Sequence, residues 1–189
     1  MDEAQFVTSA LSNPINRAIV DRLSSAELPD AWLVSGALFQ SCWNALCGRA
    51  PDYGIRDYDI FYFDPDTSWE SEDAAIRRVS AMFADLAAQI EIRNQARVHL
   101  WYQKKFGVSY PALRRSTDGI DRFLMPCAQV GIRRRAAGYE VYAPHGFYDI
   151  AHMIIRPNPT NNFTAGRYYE KASRWQALWP ELAILPARG

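Results

Sequence analysis

Two aspartates two residues apart, Asp57 and Asp59, stand at the beginning of a short run of alternating polar and apolar residues from Arg56 to Asp64. Alternation with a period of two is a strand pattern, and it places both carboxylates on one face with Ile60 and Tyr62 opposite them. Carboxylate oxygens fixed on a sheet are ligands for a hard divalent cation. Such a cation held beside a nucleoside triphosphate is the first requirement for phosphoryl or nucleotidyl transfer. Asp-x-Asp is a common pair, however, and by itself it reads far more often as a strand edge facing water than as a metal site. Transfer chemistry needs a further carboxylate and an anion-binding turn close by.

The flanking elements supply both. Ala31-Trp32-Leu33-Val34 is a compact apolar run that reads as a buried strand, followed by the turn Ser35-Gly36 and an apolar, aromatic helix from Ala37 to Cys47. A strand, a glycine turn and a helix start let backbone N–H groups approach an anion closely. Gly48 to Gly54 reads as a loop that delivers the chain to the aspartate strand. Beyond it, Thr67 and Glu70 have the spacing of a capping box. A helix follows with Ala75, Ile76, Val79, Met82, Phe83 and Leu86 on one face. Glu70, Glu72 and Asp73 fall in its first turns, where they offset the helix dipole. Gln89 to Gln95 is the next strand, with Ile90 and Ile92 facing one way and Glu91 and Arg93 the other. Glu91 is thus a candidate third carboxylate, beside the pair on a neighbouring strand.

The remaining elements frame this set. Asn13-Pro14 starts a helix that runs to Ser24. A second helix runs from Ala96 to Gly107, with Val98, Trp101, Tyr102 and Phe106 on one face and Arg97, Lys104 and Lys105 on the other. Ser116 to Phe123 reads as a turn and short helix, and Ala128 to Ala143 as a hairpin tipped by Arg133-Arg134-Arg135. Gly146 to Ile155 reads as a helix, Arg156 to Asn162 as a loop, and Thr164 to Leu178 as a last helix. Two readings stand for several cations. Arg93 either grips a triphosphate oxygen or neutralises the carboxylates. Arg97, Lys104 and Lys105, like Arg167, Lys171 and Arg174, either reach substrate phosphate or form a solvated helix face. His99, His145 and His152 have no metal-site spacing and read as structural hydrogen bonders.

The bulk properties exclude several classes. The chain has 189 residues, 49% of them hydrophobic, which suits one domain with a sizeable core. Lys plus Arg (21) equal Asp plus Glu (21), so no overall field draws it to nucleic acid or an acidic membrane. No apolar run approaches the ~20 residues of a membrane helix, and the acidic Met1-Asp2-Glu3 is unlike a signal peptide. A soluble, cytoplasmic protein without membrane contact is the expectation. Cys42, Cys47 and Cys127 are odd in number and unpaired by motif, so they read as buried or half-buried thiols.

Several blocks together resemble a known family. Gly36-Ala37-Leu38-Phe39-Gln40-x-x-Trp43-Asn44, Asp57 to Asp64, Ile90 to Tyr102, Ser116-Thr117, Ala143-Pro144-His145-Gly146 and Arg156-Pro157-Asn158-Pro159 are similar to a bacterial nucleotidyltransferase-like family. That family, once catalogued as a domain of unknown function, falls within the DNA polymerase β-type superfamily. The resemblance implies an α/β (α+β) nucleotidyltransferase fold: a small mixed β-sheet with flanking helices and a C-terminal hairpin plus helices. It would form one domain over residues 1–189, with its core at about 15–180. It further implies Mg²⁺ or Mn²⁺ on Asp57, Asp59 and Glu91, with Glu91 also the general base, and a phosphate turn at Ser35 and Gly36. The substrate would be a nucleoside triphosphate, and the hydroxyl acceptor a small molecule, protein or RNA. One departure is plain: Ala37 stands where the superfamily usually places a serine or second glycine. Two other functions compete, a nucleotide-binding or interaction module without turnover, and an RNA-binding protein using the basic hairpin and last helix.

Overall fold

The computed structural model describes residues 1–160 and 162–187. In chain order the elements are α1 (Glu3–Ala10), α2 (Pro14–Leu23), β1 (Trp32–Val34), α3 (Gly36–Leu46), β2 (Tyr58–Tyr62), α4 (Trp69–Met82), β3 (Ile90–Asn94), α5 (Val98–Phe106) and α6 (Ser116–Ile120). They continue with β4 (Gly131–Arg135), β5 (Gly138–Tyr142), α7 (Tyr148–Ala151), β6 (Ile154–Ile155), α8 (Ala165–Leu178) and β7 (Ala183–Ile184). Five strands form a mixed sheet in the order β3-β2-β1-β4-β5. Only β2 and β3 run parallel in it, as the intervening α4 requires.

Strand parity sorts the side chains. Leu33, Ile60, Ile92 and Ile132 belong to the main apolar core with α2, α3 and α4. The opposite face carries Trp32 and Val34, which join Ile120, Phe61, Phe123 and Tyr142 in a second, smaller cluster. Asp59 pairs with Val34 across β1 and with Glu91 across β3, so both acidic residues share this second face.

Buried polar groups position the connections. Asn13 caps α2 by accepting the Ile15 N–H at 2.9 Å, and its Nδ2 donates to Ser41 Oγ and Tyr58 Oη, both at 3.2 Å. Asn44 Nδ2 donates to the carbonyls of Pro51 and Tyr53, which fixes the loop leading to Asp57. That loop passes so close to Trp179 that a Cβ on Gly54, whose φ is +70°, would meet the indole at 2.8 Å. Asp30 is a pin as well as a chain break. Its carboxylate accepts the Ser116 N–H at 2.8 Å and an Arg133 N–H at 2.7 Å, which draws α6 onto the sheet.

Four expectations change. The cap of α4 is Ser68, whose side chain accepts the Ser71 N–H, and not Thr67. Glu72 lies in the first turn of α4 as expected, but it is not on a solvated face. It is 4% exposed, accepts the Asn94 N–H at 2.9 Å and pairs with Arg97 at 2.9 Å, so Arg97 is not on a solvated face either. Arg133 to Arg135 lie within β4 and not at a hairpin tip. Arg133 is held by Asp30 and Glu140 over the Trp32 ring, and Arg135 by Glu140. The helix expected over Gly146 to Ile155 spans only Tyr148–Ala151. Met153, at φ +53°, turns the chain so that Ile154–Ile155 pair with Ala183–Ile184. α1, capped by Asp2 with Gln5, and β7 are additional elements. The three cysteines are free, Cys42 and Cys127 buried and Cys47 partly so. Among the described residues no helix is long and apolar enough to cross a membrane.

Glu72 and Glu70 therefore separate in a stability measurement. Glu72→Ala leaves the Arg97 charge and the Asn94 N–H without their partner and is expected to cost about 3 kcal/mol or more in urea unfolding. Glu70→Ala, at an exposed position, should stay within about 0.5 kcal/mol of the parent.

Candidate active site

The turn between β1 and α3 is built on Ser35, a non-glycine residue at φ +57°, ψ −119°. Its N–H donates to the Val130 carbonyl at 2.8 Å and its carbonyl accepts from Leu38 and Phe39, so hydrogen bonds on both sides hold the unusual backbone. Gly36 opens α3, and no side chain caps the helix. The leading N–H groups of α3 have no intrahelical acceptors and begin at the cleft wall that Ser35 and Gly36 form.

Six residues expected from sequence to act together, Ser35, Gly36, Asp57, Asp59, Glu91 and Arg93, line one cleft of about 330 Å³. Asp59 and Glu91 are direct register partners on the parallel strands, and Phe61 and Arg93 are the next pair on the same face. Asp57 lies one residue before β2. Asp59 is half-buried on the cleft floor. Burial, with the charges of Asp57 and Glu91 added, pushes its carboxyl from an ordinary 3.8 up to about 7, against a smaller opposing pull from Lys171 and Arg93. Arg93 donates to Glu91 Oε2 at 3.1 Å, and Gln89 donates to Glu91 Oε1 at 3.2 Å.

The donor set suits a hard divalent cation in kind, because three carboxylates line one cleft and the charges of Asp57 and Glu91 add to the burial that raises the Asp59 pKa. Among the described residues, though, no three acidic, histidine or cysteine side chains are drawn together as a ready ligand set. The side chain of Glu91 is engaged with Arg93 and Gln89 instead. None of the three histidines lines the cleft.

α8 completes the site from above. Lys171 and Arg174 line the cleft, and Lys171 faces Asp59, with burial lowering its pKa while Asp59 opposes that shift. Lys105 enters from α5 with its ammonium 5.5 Å from the Trp101 ring centroid. The spacing of Lys171 and Arg174 is usual in a surface helix and also allows a basic edge at the site, and both residues line the cleft. Gln40 and the rings of Phe61, Trp101, Phe106, Phe123 and Trp175 also line the cleft. Strand parity puts Phe61 on the acidic face, but the spacing of the other rings reads as core packing, so nothing in the sequence separated those from buried aromatics elsewhere. Arg49 secures the C-terminal end of α8, donating to the Leu178 carbonyl at 2.8 Å and pairing with Glu181 at 3.0 Å.

No protein of curated function matches the chain. A solved structure described as revealing a CCA-adding enzyme head domain superposes with a TM-score of 0.77 at 25% identity, covering 98% of this chain and 97% of that one. A profile of the family described as nucleotidyltransferase matches residues 21–184. Because that profile covers most of the chain, this protein belongs to the nucleotidyltransferase family.

Proposed function

We propose that the cleft carries out divalent-metal-dependent transfer of a nucleoside monophosphate from a nucleoside triphosphate to a hydroxyl acceptor. The observation that carries this reading is the register pair Asp59 and Glu91 on parallel strands, with Asp57 beside them and four cations around them. Asp57, Asp59 and Glu91 would hold Mg²⁺ or Mn²⁺, which when bound neutralises the triphosphate and favours an ionised acceptor oxygen. Lys171, Arg174, Lys105 and Arg93 supply the positive charge that a triphosphate needs once it leaves water. The N–H groups at Ser35 and Gly36 add neutral donors to phosphate oxygens. In the transfer step the acceptor oxygen bonds to the α-phosphorus and the bond to the β-phosphate bridging oxygen breaks. Pyrophosphate departs, and Glu91 takes the hydroxyl proton.

The competing module without turnover is disfavoured by the electrostatics. Three carboxylates on one face, one of them held near neutrality, are a standing cost to the fold unless a cation is to be bound there. The RNA-binding reading loses two of its three hairpin arginines, Arg133 and Arg135, which are paired with Asp30 and Glu140.

The decisive experiment incubates the purified protein with each α-labelled nucleoside triphosphate, Mg²⁺ or Mn²⁺, and a cell extract, and looks for a labelled acceptor. Labelled product is expected, and its absence with all four nucleotides under both metals would refute transfer. Glu91→Gln is expected to lower turnover roughly 10²–10⁴-fold while triphosphate binding survives. Unchanged turnover would remove Glu91 from the mechanism.

Melting curves in EDTA test the cleft without an acceptor. Folded Asp59 keeps its proton up to about pH 7, while in the unfolded chain it ionises at its ordinary 3.8. The unfolded state therefore binds fewer protons across that window, and the Asp59 contribution to stability falls as pH rises through it. Asp59→Asn should melt above the parent at pH 8, with the difference shrinking toward pH 5. Adding Mn²⁺ at pH 8 should raise the parent's melting temperature and leave the variant's nearly unchanged.

A further inference from the structure

Gln40 has no part in the transfer step proposed above, yet it stands on α3 at the turn where the cleft begins. It is 7% exposed. One helical turn separates it from Gly36, so the two share a face of α3, and a Cβ on Gly36 would lie 3.3 Å from Gln40 Nε2. Among the described residues the Gln40 amide forms no hydrogen bond, and unlike the sealed oxygens of Asn16, Gln95 and Gln129 it keeps surface open to the cleft. Its buried polar neighbours on α3 are committed. Ser41 donates to the Ala37 carbonyl at 2.7 Å, and Asn44 donates to the carbonyls of Pro51 and Tyr53. Ala37, at the place where the superfamily usually carries a hydroxyl, is packed in the main core and does not line the cleft.

Beside Gln40 the cleft narrows to a recess of about 20 Å³, lined also by Gly54, Asp57 and Arg174. A water-sized group needs roughly 10–15 Å³ of such space, so the recess admits one oxygen atom. Arg174 is exposed and forms no ion pair among the described residues. Two donors, one neutral and one cationic, thus meet at this corner without partners in the chain. Free of a partner, the amide can turn its N–H to an anion. Asp57 at the same corner opposes an anion until a dication is bound.

Order across the sheet says which anion arrives there. β2 lies between β3 and β1, so Asp59 has Glu91 on one side and, beyond its partner Val34, the Ser35-Gly36 turn on the other. In-line displacement puts the attacking and leaving oxygens on opposite sides of the α-phosphorus. With the base Glu91 on the β3 side, the leaving group departs toward the start of α3. We infer that Gln40 is a leaving-group residue of the transfer reaction, its Nε2 donating to a non-bridging oxygen of the departing pyrophosphate while Arg174 supplies the charge beside it. As the bond between the α-phosphorus and the bridging oxygen breaks, its electron pair passes to the pyrophosphate, and a donor already in place stabilises that charge. The free protein bears a cost for this, since the amide is held largely buried without a partner. This inference rests on the reading of the cleft as a triphosphate site.

Calorimetric titration of the full chain with Mn²⁺ alone, and with inorganic pyrophosphate and tripolyphosphate in Mg²⁺, tests it beside thermal melts. Gln40→Leu, close in volume, should melt at or above the parent and bind Mn²⁺ as the parent does, yet bind both polyphosphates about tenfold more weakly. Gln40→Glu keeps the shape, replaces the donor by an anion, and should weaken both polyphosphates further. Parent-like polyphosphate affinity in Gln40→Glu overturns the inference, whether or not Gln40→Leu folds. A loss of Mn²⁺ affinity in Gln40→Leu that matches its loss of polyphosphate affinity overturns it too, because Gln40 would then be a support for Asp57. In both cases polyphosphate binding by the parent keeps the cleft reading. No binding of either polyphosphate by the parent overturns the cleft reading and the role of Gln40 together.

Discussion

The parallel pairing of β2 with β3, in the register that sets Asp59 against Glu91, is the constraint on which the site depends. A slip of one residue would send Glu91, Arg93 and Gln95 into the apolar core and bring Ile90 and Ile92 to the cleft. The hydrophobic pattern opposes that slip, and a polar latch reinforces it. Glu72 on α4 accepts the backbone N–H of Asn94 at the end of β3. The Asn94 side chain in turn donates to the carbonyls of Asp64 and Asp66 and accepts the Asp64 N–H. The exit of β2, the crossover helix and the end of β3 are thereby tied at one buried point. Arg97 supplies the cation that makes a buried Glu72 tolerable.

Charge balance governs the cleft itself. Three carboxylates face four basic side chains, yet only Arg93 and Glu91 form a close pair. Asp59 and Lys171 face each other half-buried, and desolvation moves both toward their neutral forms. On the function proposed above, the charges that would balance this site come from its ligands, a dication for the acids and a polyanion for the bases. Because Lys171 and Arg174 come from α8, far along the chain from Asp57, the packing of α8 is part of the chemistry. Arg49 and the edge-on contacts of Trp43 with Trp175 and Trp179 keep that helix over the sheet.

Local chemistry explains which elements were legible. The Asn13-Pro14 start, the α3 and α8 helices, the β2 and β3 strands and the Gly107 stop, at φ +73°, all follow from caps, spacing and turn residues. Glu72 reads as an ordinary first-turn acid because its partners, Asn94 and Arg97, are distant in sequence. Arg133 reads as a surface cation for the same reason, since Asp30 lies 103 residues away. Gly146 to Ile155 has helical composition, but its last residues are claimed by pairing with β7, whose two residues carry no pattern of their own.

The sequence by itself determined the acidic face, because strand parity is a property of successive residues: Asp57 with Asp59, and Glu91 with Arg93, are committed to one side wherever the strands go. It also determined the Ser35-Gly36 turn and helix start, which are equally local. Only the tertiary structure decided that the two acidic strands are neighbours in register and that Lys171 and Arg174 line the same cleft. Those relations depend on how separate elements pack, and packing is settled by shape, buried hydrogen bonds and charge pairing between residues that no local pattern connects.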